Sequence, residues 1–262
     1  MPIPSRDLPD HFLAAGRFEF TLAEAVEVLG SSHSATLNAL ARLQQRKEIF
    51  SPAKGLYVAV PPEYRSWGVL PGKWFIDAMM RHLERPYYIA LLSAARIHGA
   101  SHQAPQLFQV MTNSAAPLRG RDLGRVRLRF YASKHIAEDK TEQITAPTGY
   151  ATVSAKETTV VDLISHYRAS GGYGNVATII KEIGELDGAE LARVASRRHR
   201  SAVRRTGWFV DHFGRADELE ALRQAARLDL GEPTPLDPAG PKRGRTDPDW
   251  RVRLNTQVEP DL

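Results

Sequence analysis

Apolar residues recur at helical spacing in three short segments at the start of the chain. The first segment ends at Gly16, the second ends at Gly30, and the third follows closely. Glycine readily adopts the left-handed conformation that ends a helix, so each glycine predicts a turn. In the third segment Leu37, Leu40 and Leu43 predict one buried stripe. The pattern therefore predicts three short helices, the last two joined by a tight turn.

Polar residues predict where helices begin. Thr21 and Glu24 have the spacing of a capping box, in which two side chains satisfy free backbone N–H groups of the first helical turn. Hydroxyl-bearing residues over 31–34 suit the N-cap of the third helix. Ser154 and Glu157 repeat the capping-box spacing and predict another helix start.

Residues 49–60 predict a β-hairpin with Lys54 and Gly55 at its tip. Three helices followed by a hairpin are typical of a winged helix-turn-helix, in which the second helix of the motif enters the major groove of DNA. Such units also serve as dimerisation or protein-docking modules, and the pattern leaves this alternative open.

Small and polar residues lie opposite the leucine stripe of the third predicted helix. Asn38 can bond adenine with both ends of its amide, and Arg42 can reach a phosphate or a guanine. Lys54 at the hairpin tip would add a salt-dependent phosphate contact. The predicted DNA-binding residues are Ser32, His33, Ser34, Thr36, Asn38, Arg42, Arg46 and Lys54.

After Pro61 and Pro62 the periodicity becomes mixed. Residues 88–97 have the pattern of an apolar helix, whereas residues 107–112 and 125–131 have the pattern of strands. This mixture predicts helices and a sheet in the same part of the chain.

The last part of the chain changes character again. Residues 154–228 have helical periodicity throughout, and the segment after them is rich in proline and poor in apolar residues. We therefore predict an α+β protein with three parts. They are a winged helix-turn-helix domain over residues 1–64, a mixed α+β domain with a helical C-terminal part over residues 65–230, and an extended proline-rich tail over residues 231–262.

Positive charge is spread unevenly along the 262 residues. The net charge is only +5, which permits contact with a polyanion without locating it. Arginines cluster over residues 125–129 and 193–205. Solvent and helix dipoles would account for them, and so would a phosphate backbone or an acidic partner. The candidate second basic surface comprises Arg125, Arg127, Arg129, Arg197, Arg198, Arg200, Arg204 and Arg205.

Residue types suited to catalysis and metal binding are sparse. The chain has no cysteine, which excludes disulfides, thiolate nucleophiles and cysteine-based metal sites. His98 and His102 have the spacing of metal ligands, but Gly99 interrupts the helix between them. Asp247 and Asp249 lie in the proline-rich segment, where a role in turns is expected. We therefore expect no catalytic residue, no metal and no cofactor.

The chain also lacks segments that would send it to a membrane. No apolar run approaches the length of about 20 residues that crosses a bilayer. The N-terminus has no basic segment followed by an apolar one, as a signal peptide would have. We expect a soluble cytoplasmic protein.

Several segments of the sequence resemble one protein family, the AbiEi-type antitoxins of type IV toxin-antitoxin systems. Residues 87–99 (YYIALLSAARIHG), with His102-Gln103 and Phe108-Gln109-Val110 after them, are similar to the family's hallmark segment. Residues 153–163 (VSAKETTVVDL) resemble the segment that opens its C-terminal helical region. The end of many members is similar to Asp249-Trp250, Asn255 and Val258-Glu259-Pro260-Asp261, so the resemblance covers nearly the whole chain.

The resemblance implies a non-enzymatic role in bacterial abortive infection, a form of phage defence. It implies a transcriptional repressor that binds double-stranded DNA at inverted repeats in its own promoter through the winged helix. It also implies that the C-terminal region neutralises a nucleotidyltransferase-like toxin, by direct contact or indirectly. The alternative from another class is a metal-dependent enzyme acting on nucleic acid or on the toxin, with Asp247 and Asp249 as its carboxylates.

Overall fold

The structure of the protein is a computed structural model that describes residues 2–100, 107–113, 118–217, 219–228 and 231–261. It has an α+β fold with helices and several β-sheets. The chain forms two compact units. Unit 1 takes in residues 1–89, 106–136 and 143–152, and unit 2 takes in residues 90–105, 137–142 and 153–262. These bounds differ from the predicted boundaries after residues 64 and 230.

Unit 1 begins with the three predicted helices and the predicted hairpin. The elements are α1 (Leu8–Ala14), β1 (Glu19–Thr21), α2 (Leu22–Leu29), α3 (His33–Gln45), β2 (Ile49–Ala53) and β3 (Leu56–Ala59). Strand β3 is the middle strand of an antiparallel sheet in the order β1-β3-β2. The short strand β1 was not predicted, and it places the start of α2 beside the hairpin.

Side-chain caps and one left-handed glycine set the path from α2 to α3. The Thr21 hydroxyl accepts a hydrogen bond from the Glu24 N–H at 3.2 Å, and the Glu24 carboxylate accepts one from the Thr21 N–H at 2.7 Å. The predicted capping box is therefore confirmed. Gly30 ends α2 at φ +56°, and the Ser32 hydroxyl caps α3 by accepting from the Ala35 N–H at 3.3 Å. Caps of this kind contribute about 1 kcal/mol each.

The three helices and the small sheet enclose a hydrophobic core. At its centre the rings of Phe12 and Phe20 stack with centroids 4.4 Å apart, and the ring of Tyr57 lies 5.7 Å from that of Phe20. Buried residues from α1, α2, α3, β2 and β3 surround these rings: Leu8, Ala25, Leu29, Ala39, Leu40, Leu43, Ile49 and Ala59. This core fixes the orientation of α3 on the other helices.

A six-stranded sheet and one helix complete unit 1. They are α4 (Gly72–His82), β4 (Tyr87–Ile89), β5 (Leu107–Asn113), β6 (Arg121–Leu123), β7 (Val126–Ser133), β8 (Thr141–Ala146) and β9 (Gly149–Ser154). The strand order is β6-β7-β5-β4-β9-β8, with β5 and β7 parallel. The predicted strands over 107–112 and 125–131 are confirmed as β5 and β7.

The helix predicted over residues 88–97 begins three residues earlier than the helix in the structure. Residues 88 and 89 were expected in this helix, but they belong to strand β4, which pairs with β5 so that Tyr88 lies opposite Met111. A short apolar run fits a buried strand as well as a buried helix, and pairing with a distant strand decides between them. The helix itself is α5 (Leu91–Ile97).

Unit 2 is mainly helical, as predicted for residues 154–228. Besides α5 it contains α6 (Lys156–Ser165), α7 (Gly172–Glu182), β10 (Glu185–Asp187), α8 (Gly188–Ser196), α9 (Arg200–Phe213), β11 (Arg215–Asp217) and α10 (Glu220–Arg227). The short strands β10 and β11 pair in parallel and were not predicted. Every residue of α6 from Glu157 to Ile164 is buried, so α6 is the central helix of this unit.

The predicted capping box at the start of α6 is wrong. Helix α6 begins at Lys156, and its N-cap residue Ala155 makes no side-chain cap. The Ser154 hydroxyl lies 2.6 Å from the Thr159 hydroxyl, and the Glu157 carboxylate accepts a hydrogen bond from the backbone N–H of Asp187 at 3.1 Å. Glu157 therefore joins α6 to strand β10, and Ser154 contacts the first turn of α6.

The proline-rich C-terminal segment is folded onto unit 2 and is not an extended tail. It contains β12 (Thr234–Pro235), β13 (Arg245–Asp247) and β14 (Val252–Leu254), in the sheet order β12-β14-β13. Trp250 is fully buried, and its indole N–H donates to the Asp211 carboxylate of α9 at 2.9 Å. Gly207 of α9 makes room for the indole ring, because a Cβ atom at this position would overlap it. No helix in the described part of the chain is long and apolar enough to cross a membrane.

Candidate nucleic-acid interface

Helix α3 turns a different face to the core than the leucine spacing predicted. The buried residues are Thr36, Ala39, Leu40 and Leu43, whereas Leu37 is 39% exposed. Positions 36, 39, 40 and 43 follow the i, i+3, i+4, i+7 pattern of one helix face. Leu37 is rotated from Thr36 by about 100° and falls outside that face. The prediction that Leu37 is buried is therefore wrong.

Thr36 was expected to contact DNA, but its side chain is fully buried. Its hydroxyl oxygen lies 2.8 Å from that of Ser31 in the preceding turn. A side chain enclosed in this way cannot reach a base or a phosphate. Thr36 thus packs the start of α3 and is not part of the exposed face.

The exposed face of α3 carries small and polar residues. Ser34, Asn38, Ala41 and Gln45 are exposed and lie opposite the buried residues, with successive positions rotated by about 100°. Arg42 is exposed at one edge of this face. Helix α3 contains no acidic residue, so a negatively charged surface can approach it without repulsion from the helix itself.

Two predicted residues lie at the start of α3 and one lies just past its end. Ser32 and His33 are exposed, and the Ser32 hydroxyl is already an acceptor for the first turn. Arg46 forms an ion pair with Glu48 at 3.3 Å, in which the Arg46 side chain is 53% exposed. Exposed pairs of this kind contribute between about 0 and 1 kcal/mol, so Arg46 can leave Glu48 at little cost.

Lys54 is exposed at the tip of the β2–β3 hairpin, as predicted. Its backbone carbonyl accepts a hydrogen bond from the Nε2 atom of His82, at the end of α4, at 3.0 Å. Gly55 beside it has φ +80°, which gives the hairpin its sharp turn. The tip is therefore fixed at its backbone while the Lys54 ammonium group points into solvent.

The arginines of β7 and the turn before it do not form a row of unpaired cations. Arg129 pairs with Asp122 at 2.9 Å and also donates to the carbonyl of Leu128. The guanidinium of Arg125 lies over the ring of Trp67, 5.1 Å from its centroid. Arg127, between them, is half-buried. Of the three, Arg125 is the one that is exposed.

The second arginine cluster is directed mainly at groups of unit 2 itself. Arg204 is fully buried and donates to the carbonyl of Glu232 at 2.6 Å. Arg205 donates two hydrogen bonds to the carbonyl of Pro235, at 3.0 and 2.9 Å, and burial lowers the pKa of its guanidinium. These two residues of α9 thus hold the C-terminal segment and are not part of an open basic surface.

Arg198 also pairs with buried carboxylates of unit 2. It pairs with Asp139 at 2.6 Å and with Asp162 of α6 at 3.3 Å. Asp162 is 2% exposed, so this ion pair lies in the interior of unit 2. Burial lowers the pKa of the nearby His166, and the charge of Arg198 lowers it further. Two residues of the candidate second basic surface remain. Arg197 pairs with the exposed Glu138 at 3.5 Å, and Arg200 is exposed.

The residues considered for metal binding or catalysis have structural roles where the structure describes them. The Nε2 atom of His98 is hydrogen-bonded to the carbonyl of Ser154 at 2.7 Å, and His102 lies outside the described residues. The Asp247 carboxylate accepts from the N–H groups of Asp249 and Trp250, both at 3.0 Å, as a turn residue does. Across the described ranges, no group of three or more histidines or carboxylates is placed to hold a metal ion.

Sequence reasoning missed Leu37, Ala41 and Gln45 as exposed residues of α3. The sequence contained a signal for this, because positions 36, 39, 40 and 43 fit the i, i+3, i+4, i+7 pattern of a buried face better than the series that starts at Leu37. A threonine in a buried stripe is acceptable when its hydroxyl has a local partner, and Ser31 supplies one.

Comparisons with known proteins bear on both the fold and the family. Residues 88–212 match the family model described as the AbiEi antitoxin C-terminal domain. The fold is similar to the crystal structure of the RV2827C protein from Mycobacterium tuberculosis, with a TM-score of 0.68 and 14% sequence identity. That match covers 95% of this chain and 91% of the other. Identity at this level shows a shared fold alone. No curated protein sequence matches the chain.

The matched region runs from β4 to α9 and contains most of residues 87–99 and all of residues 153–163, two of the segments that resemble the family in sequence. The resembling segments over residues 249–261 lie outside it. The AbiEi family is a family of antitoxins and not of enzymes. Over residues 88–212, this chain is therefore similar to the C-terminal domain of the AbiEi antitoxins.

Proposed function

We propose that this protein is the antitoxin of a bacterial type IV toxin-antitoxin system that acts in the cytoplasm in defence against phage. Residues 1–64 form a winged helix-turn-helix that binds double-stranded DNA at inverted repeats and represses the protein's own operon. The region over residues 65–230 counters a nucleotidyltransferase-like toxin. The family match supports the antitoxin role, and the geometry of the first 64 residues supports the DNA-binding role.

The exposed face of α3 is the observation that carries the DNA-binding role. The order α2, tight turn, α3 and hairpin is that of a winged helix-turn-helix, in which the second helix of the motif lies in the major groove. Ser34 and Ala41 are small enough for the helix to approach base edges closely. Asn38 beside them suits adenine, which presents an acceptor and a donor to the side-chain amide.

Two exposed cations, one on α3 and one on the hairpin, could contact the phosphate backbone. Arg42 is exposed on α3 and Lys54 is exposed at the hairpin tip. Among the described residues neither of them forms an ion pair, so each is available for a phosphate. Each phosphate neutralised on duplex DNA adds about 0.9 to the slope of log affinity against log salt concentration.

The test is binding of the full-length protein to duplex DNA from the region upstream of its own gene. Fluorescence anisotropy at several salt concentrations should show an affinity that falls steeply with salt. Arg42→Ala should weaken binding and reduce the salt slope by about one unit. Arg243→Ala, which removes an exposed arginine from the C-terminal segment, is the matched control and should bind as the wild type does.

A salt slope near zero for the wild type, together with unchanged binding by Arg42→Ala, would reject the DNA-binding role. That result would favour the alternative that residues 1–64 dock onto a protein. Unchanged binding by Arg42→Ala with a steep wild-type slope would reject only the contact made by Arg42.

The toxin role is tested by co-expression with the product of the neighbouring gene. Expression of the neighbour alone should stop growth, and the full-length antitoxin should restore it. Arg42→Ala, expressed from an unrelated promoter, should restore growth equally well because α3 lies outside the matched region. Failure of the wild type to restore growth would contradict the antitoxin role.

The same assay separates an antitoxin from an enzyme. Asp249 is exposed, so Asp249→Ala should leave the fold intact. We expect this variant to restore growth as the wild type does. Loss of rescue on Asp249→Ala would favour a carboxylate-dependent enzyme. Size-exclusion chromatography of the co-expressed pair decides whether the antitoxin contacts the toxin directly.

A further inference from the structure

Helix α3 presents one large apolar side chain to solvent. Leu37 is 39% exposed on a helix whose other exposed positions are small or polar. With about 100° between successive residues, Ser34 and Ala41 lie at the centre of the exposed face, and Leu37 and Asn38 lie on either side of them. The small residues let the helix come close to an opposing surface. Leu37 and Asn38 then reach that surface from the two sides.

The surroundings of Leu37 favour DNA over a protein as the opposing surface. A single leucine next to Ser34, Asn38 and Ala41 makes an apolar patch far smaller than the few hundred Å² typical of a protein interaction site. The charges on α3 and on the hairpin also favour DNA. Helix α3 has no acidic residue, and Arg42 and Lys54 are exposed on α3 and on the hairpin.

The major groove contains one apolar group with which a leucine can pack. That group is the C5 methyl of thymine, and side chains with apolar ends contact it in major-groove complexes. The partner of thymine is adenine, whose N6 and N7 atoms suit the amide of Asn38. Leu37 and Asn38 on the two sides of the helix axis thus match the two kinds of group that A·T pairs display.

We propose that Leu37 is a specificity-determining residue that packs against a thymine methyl group in the major groove, close to an adenine bonded by Asn38. The operator half-site then has A·T pairs opposite the middle of α3. This inference rests on the proposed DNA-binding function and extends it by naming the bases that α3 distinguishes.

The experiment removes the methyl group from the DNA and the leucine from the protein in turn. Duplexes from the region upstream of the gene are made with thymine or with deoxyuridine, which lacks the methyl group. Their affinities for the full-length protein are compared at one salt concentration. Burying one methyl group is equivalent to about a fourfold change in affinity. The wild type should bind the deoxyuridine duplex about fourfold more weakly for each methyl group contacted.

Leu37→Ala should bind the thymine duplex more weakly than the wild type and should lose the preference for thymine over deoxyuridine. The side chain is partly exposed, so the variant should stay folded, and its unfolding midpoint checks this. Leu228→Ala is the matched control, because Leu228 is 85% exposed and lies just past α10 in unit 2. It should keep the full preference of the wild type.

The outcomes separate the inference from the function on which it rests. Equal affinity of the wild type for both duplexes, with strong salt-dependent binding, overturns the role of Leu37 and leaves DNA binding intact. A preference for thymine that persists in Leu37→Ala also overturns the role of Leu37 and leaves DNA binding intact, because the preference then arises from DNA shape or from another residue. Absence of salt-dependent binding to either duplex overturns both proposals.

Discussion

The hydroxyl oxygen of Thr36, in the first turn of α3, lies 2.8 Å from that of Ser31, in the turn that connects α2 to α3. Thr36 is fully buried, so this contact ties the first turn of α3 to the segment before it. The position of α3 on the core therefore depends on a polar contact that is out of reach of any ligand.

Thr36→Val should reduce stability without changing DNA recognition. The substitution keeps the shape of the side chain but removes the hydroxyl partner of Ser31, at an expected cost of about 1 kcal/mol in the free energy of unfolding. Urea unfolding measures this cost. Ser34→Ala, on the exposed face, should leave the free energy of unfolding unchanged. A tenfold loss of DNA affinity in Thr36→Val at unchanged stability would show that Thr36 has a direct role in binding.

Arg204→Met should loosen the C-terminal segment. Arg204 is fully buried and donates to the carbonyl of Glu232, and a charged hydrogen bond of this kind contributes about 1.5–3 kcal/mol. We expect a loss of that size in the free energy of unfolding and faster proteolytic cleavage within residues 231–261. Arg96→Met, at an exposed position of α5, is the control and should change the stability by less than about 0.5 kcal/mol. Equal cleavage rates for the two variants would contradict the anchoring role.

Gly207→Ala should destabilise unit 2 although alanine is the better helix former. The new methyl group would overlap the buried Trp250 ring, and such overpacking costs about 1–3 kcal/mol. The gain in helix propensity is about 1 kcal/mol and offsets only part of this cost. Thermal unfolding measures the balance. Trp250→Leu in the same chain should relieve the overlap, so the two substitutions together should cost less than their sum.

Arg198→Met should be among the most damaging substitutions in the helical unit. It would leave Asp139 and Asp162 buried without the guanidinium that now pairs with both. Breaking a buried ion pair by removing one partner costs about 3–5 kcal/mol. Asp162→Asn keeps Arg198 paired with Asp139 and should cost less. If the cost of Arg198→Met is no greater in the wild type than in Asp162→Asn, the two residues are not coupled.

The stability of the protein should depend on the protonation of His166. Burial and Arg198 lower the pKa of His166 in the folded state, so the unfolded chain binds the proton more readily. The contribution of His166 to the free energy of unfolding is therefore at its maximum above about pH 6.5. It falls as the pH drops from there towards the folded pKa, by at most about 1.4 kcal/mol per pH unit. Urea unfolding between pH 7.5 and 5 measures this slope. In His166→Asn the free energy of unfolding should depend less steeply on pH.

Features fixed by residues close together in the chain could be predicted from the sequence. The capping box of Thr21 and Glu24 and the end of α2 at Gly30 depend only on side chains and backbone groups within a few positions. The same locality explains why the three N-terminal helices and the hairpin were predicted at the right places.

Features that depend on distant partners could not be predicted. Residues 87–89 form a strand because β5 pairs with them, and an apolar run of that length carries no sign of its partner. Arg204 and Arg205 appear in the sequence as part of a basic cluster. Both donate hydrogen bonds to backbone carbonyl groups of residues 232 and 235, which carry no formal charge. A count of charged residues therefore overestimates the positive surface of unit 2.

The way the two compact units alternate along the chain decides how their roles can be separated in living cells. Unit 1 is completed only at residue 152, and unit 2 already includes residues 90–105 and 137–142. No single cut therefore leaves both units whole, so a deletion made to test the proposed DNA binding also removes part of one unit. A truncated gene that fails in a phage-challenge or promoter assay would report misfolding as readily as a lost role. Genetic dissection should therefore rely on single substitutions confined to one unit, such as Arg42→Ala.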